Sequence, residues 1–277
     1  MKKWLIVSAA SLFALTACGG QGNDADSGTS EQNENAETEN TEETTENENS
    51  EEENTDMNEE EIEEAPAEIV YEINPDFWTV EPIKGTDADP EVVLLTIDDA
   101  PDKYGVEMAK TLKELEAPAI FFVNAHFINT EEKAEELREI HDMGFEIGNH
   151  TKTHPNLSEI SEEQQREEIV ELNDMIEEII GERPRFFRAP HGVNTDYSRS
   201  VVKDEGMTNM NWTYGYDWEA EYKEKDAIAD IMVNTELLGN GGNLLMHDRE
   251  WTAAGLEDIV NGLREKGYDF VDPDQLK

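Results

Sequence analysis

Five short stretches of this chain carry side chains able to hold a cation or move a proton. In Thr96-Ile97-Asp98-Asp99-Ala100-Pro101 two adjacent carboxylates follow an apolar run. Neighbours at a strand end point in different directions, so one can ligate a metal while the other accepts a proton. A turn or a helix cap would use the same pair. His150 and His154 are four residues apart, a spacing that puts two imidazoles on one side of a helical turn and suits Zn²⁺. Joined by one carboxylate, they make a set that leaves positions open for water and substrate, as metal-assisted hydrolysis requires. Arg188 precedes Ala189-Pro190-His191-Gly192 and would keep a nearby carboxylate ionised and oriented. By itself it is a strand ending in Pro and Gly. Asp217 stands beside Trp218, a carboxylate against an apolar wall, for which core packing is the plain alternative. His247, in Leu244-Leu245-Met246-His247-Asp248, becomes a candidate general acid through this company, since a lone histidine is usually structural.

These residues need a scaffold that gathers them. Apolar runs at 91–97, 119–123, 145–147, 185–187, 210–213, 243–246 and 268–271 read as strands. Helix-periodic segments fill 104–115, the stretch from Thr130 to Gly144, 161–180, 197–203, 225–237 and 253–266. Such alternation implies parallel strands joined by right-handed crossovers, in one barrel-like domain slightly short of eight units. Asp98-Asp99, His150, Arg188, Asp217 and His247-Asp248 all fall at or just past the C-terminal end of an expected strand, where folds of this class assemble their sites.

Taken in order, 96–101, 150–154, 188–192, Asp217-Trp218 and 245–248 resemble the five motifs of the polysaccharide deacetylases, carbohydrate esterase family 4. The resemblance covers roughly 91–271, and the ordered set is far more specific than any single motif. It implies an α/β fold, a distorted (β/α) barrel of about seven parallel strands. It also implies a divalent metal, with Zn²⁺ the first expectation and Co²⁺ or Mn²⁺ the alternatives. The matching positions acquire roles. Asp98 would be the general base toward the attacking water, and Asp99, His150 and His154 the metal ligands. His247 would be the general acid, tuned by Asp217, and Arg188 would steady Asp98. Pro190, His191, Trp218 and Leu245 would contact substrate. The chain departs from the family where Ala100 replaces the usual Gly and His191 the common Tyr, so groove contacts are expected to differ.

The remaining sequence sets the context. Met1-Lys2-Lys3 and the apolar run after it make 1–17 an export signal, too short to span a bilayer comfortably. Leu15-Thr16-Ala17-Cys18 resembles a bacterial lipobox, which implies a lipid anchor on Cys18. That is the only cysteine, so no intrachain disulfide can form. Residues 18–68 contain 20 acids and no base and are expected to form a disordered, self-repelling tether. The deacetylase domain is expected at 69–277, where the role of 69–90 stays open. Of 67 acids 47 follow residue 68, with 19 of the 21 bases, leaving this part near −28. That charge argues against nucleic-acid partners and favours a monomer. The expected setting is the extracellular face of the cell membrane, within the envelope, with an N-acetylated glycan as partner. Peptidoglycan N-acetylglucosamine leads; chitin oligomers, acetylated xylan or non-catalytic glycan binding are the alternatives.

Overall fold

The computed structural model describes residues 67–277. The export segment, Cys18 and the acidic stretch up to residue 66 lie outside the described residues. The chain builds a curled parallel sheet flanked by helices. Strands β3 (Val92–Ala100), β4 (Ala119–Val123), β5 (Glu146–Asn149), β6 (Phe186–Phe187), β7 (Thr208–Asn209) and β8 (Gly242–His247) follow a short hairpin, β1 (Tyr71–Ile73) and β2 (Val80–Pro82). Their order in the sheet is β7-β6-β5-β4-β3-β8, and a last strand, β9 (Asp269–Phe270), pairs with the first residues of β3. Among the described residues seven parallel strands result, as expected from the sequence.

The curl does not close. Strands β6 and β7 have two residues each, and β7 and β8 do not pair with each other among the described residues. An isolated bridge between Tyr214 and Leu244 lies across part of that gap. The distorted barrel is therefore a half-barrel.

Among the described residues six helices cover the convex face: α1 (Gly105–Glu114), α2 (Glu131–Asp142), α3 (Glu162–Ile180), α4 (Asp196–Asp204), α5 (Lys225–Asn234) and α6 (Glu250–Glu265). Local chemistry sets their ends. Ser161 and Gln164 form a reciprocal capping box at the start of α3, and left-handed Gly181 (φ 83°) ends it. Thr195 and Ser198 repeat the box on α4.

Alternation along β3 separates two cores. Val93, Leu95 and Ile97 pack outward with helix residues such as Met108, Leu112, Ile259 and Leu263. Val92 and Leu94 point into the concave side with Ile120, Phe122, Phe186 and Met210. Each fully buried aliphatic or aromatic side chain contributes roughly 1.5–3 kcal/mol. The hairpin at 71–82 resolves the open role of 69–90: Tyr71 and Val80 join this inner core and close its lower end, near the starts of β3 and β8. Among the described residues no helix is long and apolar enough to cross a membrane.

Candidate active site

On the inner face the same alternation turns from apolar to polar in one step: Leu94 is followed by Thr96 and Asp98, and Phe186 by Arg188. Arg188 is wholly buried. Its Nη1 donates to Thr96 Oγ1 and to Asp98 Oδ1, both at 2.7 Å. Its Nη2 donates to the Asn211 carbonyl at 2.9 Å and to Asn243 Oδ1 at 3.1 Å. Burial pulls the guanidinium pKa down, and Asp98 works against that loss. The guanidinium lies 4.4 Å over the Phe122 ring. Gly148 makes room for that ring, since a Cβ there would come within 2.5 Å of it.

The register of β3 against β4 slips between Asp98 and Ala100, and Asp99 takes a left-handed φ of 59°. This bulge-like irregularity parts the two carboxylates. Asp98 is buried, with Oδ2 3.5 Å from His150 Nε2. Asp99 is partly open, with Oδ1 3.7 Å from His154 Nε2 and Oδ2 accepting from Arg249 Nη2 at 3.2 Å.

His150 and His154 do converge, but not on a helical turn as the spacing suggested. They lie on an irregular loop in which Thr151 (φ 67°) and His154 (φ 58°) are both left-handed. Two buried asparagines hold that loop. Asn124 Nδ2 donates to the carbonyls of His150 (2.6 Å) and Thr151 (2.9 Å), and Asn149 Oδ1 accepts from the Thr151 N–H at 2.9 Å. His150 Nδ1 lies 2.8 Å from the Arg188 carbonyl. A carbonyl can only accept, so Nδ1 carries the proton and the Nε2 lone pair is free.

Asp99, His150 and His154 each present one donor atom, all within 4.8 Å of one another. Burial lowers the pKa of both histidines. For His154 the neighbouring His150 adds to the effect and Asp99 opposes it, leaving the value at about 4. Both rings are thus neutral near pH 7, the form that ligates. Burial would raise the Asp99 pKa, but the imidazoles of His150, His247 and His154, with Arg249, hold it below the usual carboxylate range. Two neutral imidazoles and one carboxylate fit a divalent cation.

Across the cleft stands His247, whose backbone pairs with Asp98. Its Nδ1 lies 2.7 Å from Asp217 Oδ1, and its N–H donates to Asp217 Oδ2 at 2.6 Å. Thr252 Oγ1 also donates to Oδ2, at 2.8 Å. Burial disfavours the imidazolium, but the hydrogen bond and charge of Asp217, with Asp98 and Asp99 beyond, raise the pKa above the ordinary imidazole range.

Asp98, Asp99, His150, His154, His191, Trp212, Trp218, Leu245 and His247 line one pocket of about 360 Å³. Arg188 lies buried behind Asp98, and Asp217 behind His247. Pro190 is buried and shapes the turn at His191 without lining the pocket. Trp218, 43% exposed, stands edge-on to His247 with ring centroids 5.7 Å apart, and His191 stands edge-on to His154 at 4.9 Å. Sequence reading missed Trp212 because it lay inside the strand expected at 210–213, whereas β7 is Thr208–Asn209 and Trp212 falls past its end. It also missed Asn124 and Arg249, which resemble ordinary loop and surface residues.

The polysaccharide deacetylase family model matches residues 85–210. The chain is 31% identical over 189 residues to a peptidoglycan-N-acetylglucosamine deacetylase of Bacillus cereus, covering 65% of this chain and 68% of that protein. It is 32% identical over 194 residues to the peptidoglycan-N-acetylmuramic acid deacetylase PdaC of Bacillus subtilis, covering 69% of this chain but 40% of PdaC. The solved structure of PdaC superposes with a TM-score of 0.60 at 30% identity, over 68% of this chain and 91% of the solved one. A family 4 pseudoenzyme of Bacillus anthracis superposes with a TM-score of 0.61 at 27% identity, over 68% and 66% of the two chains. The chain thus spans well under the full length of several curated relatives. Its motifs, half-barrel and sequence relatives agree: the chain belongs to the polysaccharide deacetylases, carbohydrate esterase family 4.

Proposed function

We propose that this chain hydrolyses N-acetyl groups of an envelope glycan, with peptidoglycan N-acetylglucosamine as its substrate. One observation carries the reading. Asp98 and His247 sit on adjacent strands facing one pocket, and each has its own support: Arg188 for the carboxyl group, Asp217 for the imidazole. Amide hydrolysis needs both a base for water and an acid for the leaving nitrogen, and a pure binder needs neither.

In this reading Asp99, His150 and His154 would hold a divalent cation, Zn²⁺ first, which would supply Lewis acidity at the acetyl carbonyl and for the attacking water. Asp98 takes the proton of that water. Asp217 keeps His247 protonated until it delivers its proton to the amide nitrogen, whereupon the C–N bond breaks to leave acetate and a free amine. The peptide N–H at His191, whose backbone is left-handed, would donate to the carbonyl oxygen as charge develops. Trp218 and Leu245 wall the acetyl methyl group. The lipobox-like residues at Cys18 support a lipid anchor, which would hold the domain at the outer face of the membrane.

Acetate release from purified peptidoglycan, chitin oligomers and acetylated xylan tests this. Release is expected from peptidoglycan, lost on chelation and restored by Zn²⁺ more fully than by Co²⁺ or Mn²⁺. Preference for another polymer would move the substrate, and no release from any would favour the non-catalytic state of the Bacillus anthracis relative. Cys18→Ser is expected to free the protein from membranes; continued association would refute the anchor.

A further inference from the structure

Next to His247 lies a carboxylate that neither touches the pocket nor faces solvent. Asp248 is 1% exposed and has no cationic side chain on its oxygens. Its partners are four successive backbone N–H groups: Asp102 at 2.7 Å, Lys103 at 3.2 Å, Tyr104 at 2.7 Å and Gly105 at 2.8 Å. These lie in the turn that leaves Asp98-Asp99 and enters α1. The last two, at the N-cap and first residue of α1, are donors the helix cannot satisfy within itself, and all four gather round a negative charge at the positive end of the helix dipole. Tyr104, the N-cap of α1, contributes no side-chain cap, so the carboxylate from β8 does that work. Gly105 lets it approach, because a Cβ there would lie 3.0 Å from Asp248 Oδ2. The backbone completes the tie: the Asp248 N–H donates to the Asp98 carbonyl at 3.2 Å, and the Asp248 carbonyl accepts from Arg249 Nη1 at 3.0 Å while Arg249 Nη2 holds Asp99.

We infer that Asp248 is a positioning residue that locks the Asp98–Asp99 turn to the strand end bearing His247, and so fixes base, acid and cation donors as one unit. The inference rests on the proposed roles of Asp98, Asp99 and His247. It acts through backbone alone. Losing the clasp frees a turn three residues from Asp99, and supporting partners of this kind typically change metal affinity or activity by about 10–100-fold.

The test compares Asp248→Ala and Asp248→Asn with Thr130→Ala, which removes the side-chain cap of α2 outside the pocket. Zn²⁺ affinity, acetate release per folded molecule and amide hydrogen exchange at 102–105 are measured on each. Both Asp248 variants are expected to exchange faster at 102–105, to bind Zn²⁺ about 10-fold or more weaker, and to lose kcat with little change in KM. Thr130→Ala is expected to lose stability alone. Asn retains one good acceptor, so it keeps the measurement possible if the alanine variant does not fold. Wild-type Zn²⁺ affinity and kcat in a folded Asp248 variant would overturn the inference, as would equal losses in Thr130→Ala. If the wild-type chain releases no acetate, the proposed function fails, while Zn²⁺ affinity and exchange still decide for or against the clasp.

Discussion

The concave side of the half-barrel has two ends made from the same strands. At the lower end Val92, Leu94, Ile120 and Phe186 meet the β1–β2 hairpin, and Tyr71 and Val80 seal an apolar core. At the upper end Thr96, Asp98 and Arg188 continue the same rows, and every one of them is buried. An apolar core thus becomes a buried charged cluster within one alternation. The pair is built into the core, so its Coulomb attraction and its desolvation cost are both large. The lower end can lose packing without touching chemistry; the upper end cannot lose a charge without touching both.

Asp98→Asn is the sharpest way to break that contrast. Turnover is expected to fall by about 10²–10⁴-fold, with cation binding kept and Arg188 left without its counter-ion. Lost cation binding, read by metal analysis, would exchange the roles of Asp98 and Asp99. Leu94→Ala attacks the lower end and is expected to cost about 2–5 kcal/mol in denaturant unfolding, with kcat per folded molecule unchanged. A matching fall in kcat would show the two ends to be coupled. Gly148→Ala pushes on Phe122 and through it on Arg188, so a loss of about 1–3 kcal/mol should come with reduced activity. Stability lost at full activity would separate the ring from the guanidinium.

The smallest change expected is at Thr252. In the proposed mechanism His247 acts in its protonated form, so activity should fall as pH rises through a folded-state pKa lying above the ordinary imidazole range. The same raised pKa gives stability that is fully present below the unfolded value of about 6.5 and lost as pH climbs through the folded one. Thr252→Val removes a donor from Asp217 at a cost of about 0.5–1.5 kcal/mol. With its charge less satisfied, Asp217 should hold the His247 proton harder and move the basic limb upward. A downward move in the pH–rate profile would contradict this arrangement.

Much of this was legible in the sequence because chemistry falls at strand ends. Asp98, Arg188 and His247 each follow an apolar run whose period of two already assigns them a face. Less legible was whatever depends on loop geometry. The spacing of His150 and His154 fits a helical turn, yet two left-handed residues and two asparagines produce the convergence instead. The hairpin strands, three residues each, are too short for a periodic signal. Asp248 falls at a strand end by sequence, but nothing local announces that its carboxylate will be buried under four N–H groups, or that Arg249 will reach Asp99. The two-residue strands β6 and β7 left the incomplete closure equally invisible.

Of the six non-glycine residues with left-handed backbone among the described residues, Asp99, His154 and His191 line the pocket and Thr151 lies in the loop between the two histidines. Each such conformation costs on the order of 1–3 kcal/mol, which glycine would largely relieve. At these positions selection for a sturdier fold and selection for chemistry therefore pull in opposite directions. A laboratory selection for heat resistance alone should accept glycine at 99, 154 and 191, and would erode the site while improving the protein that carries it.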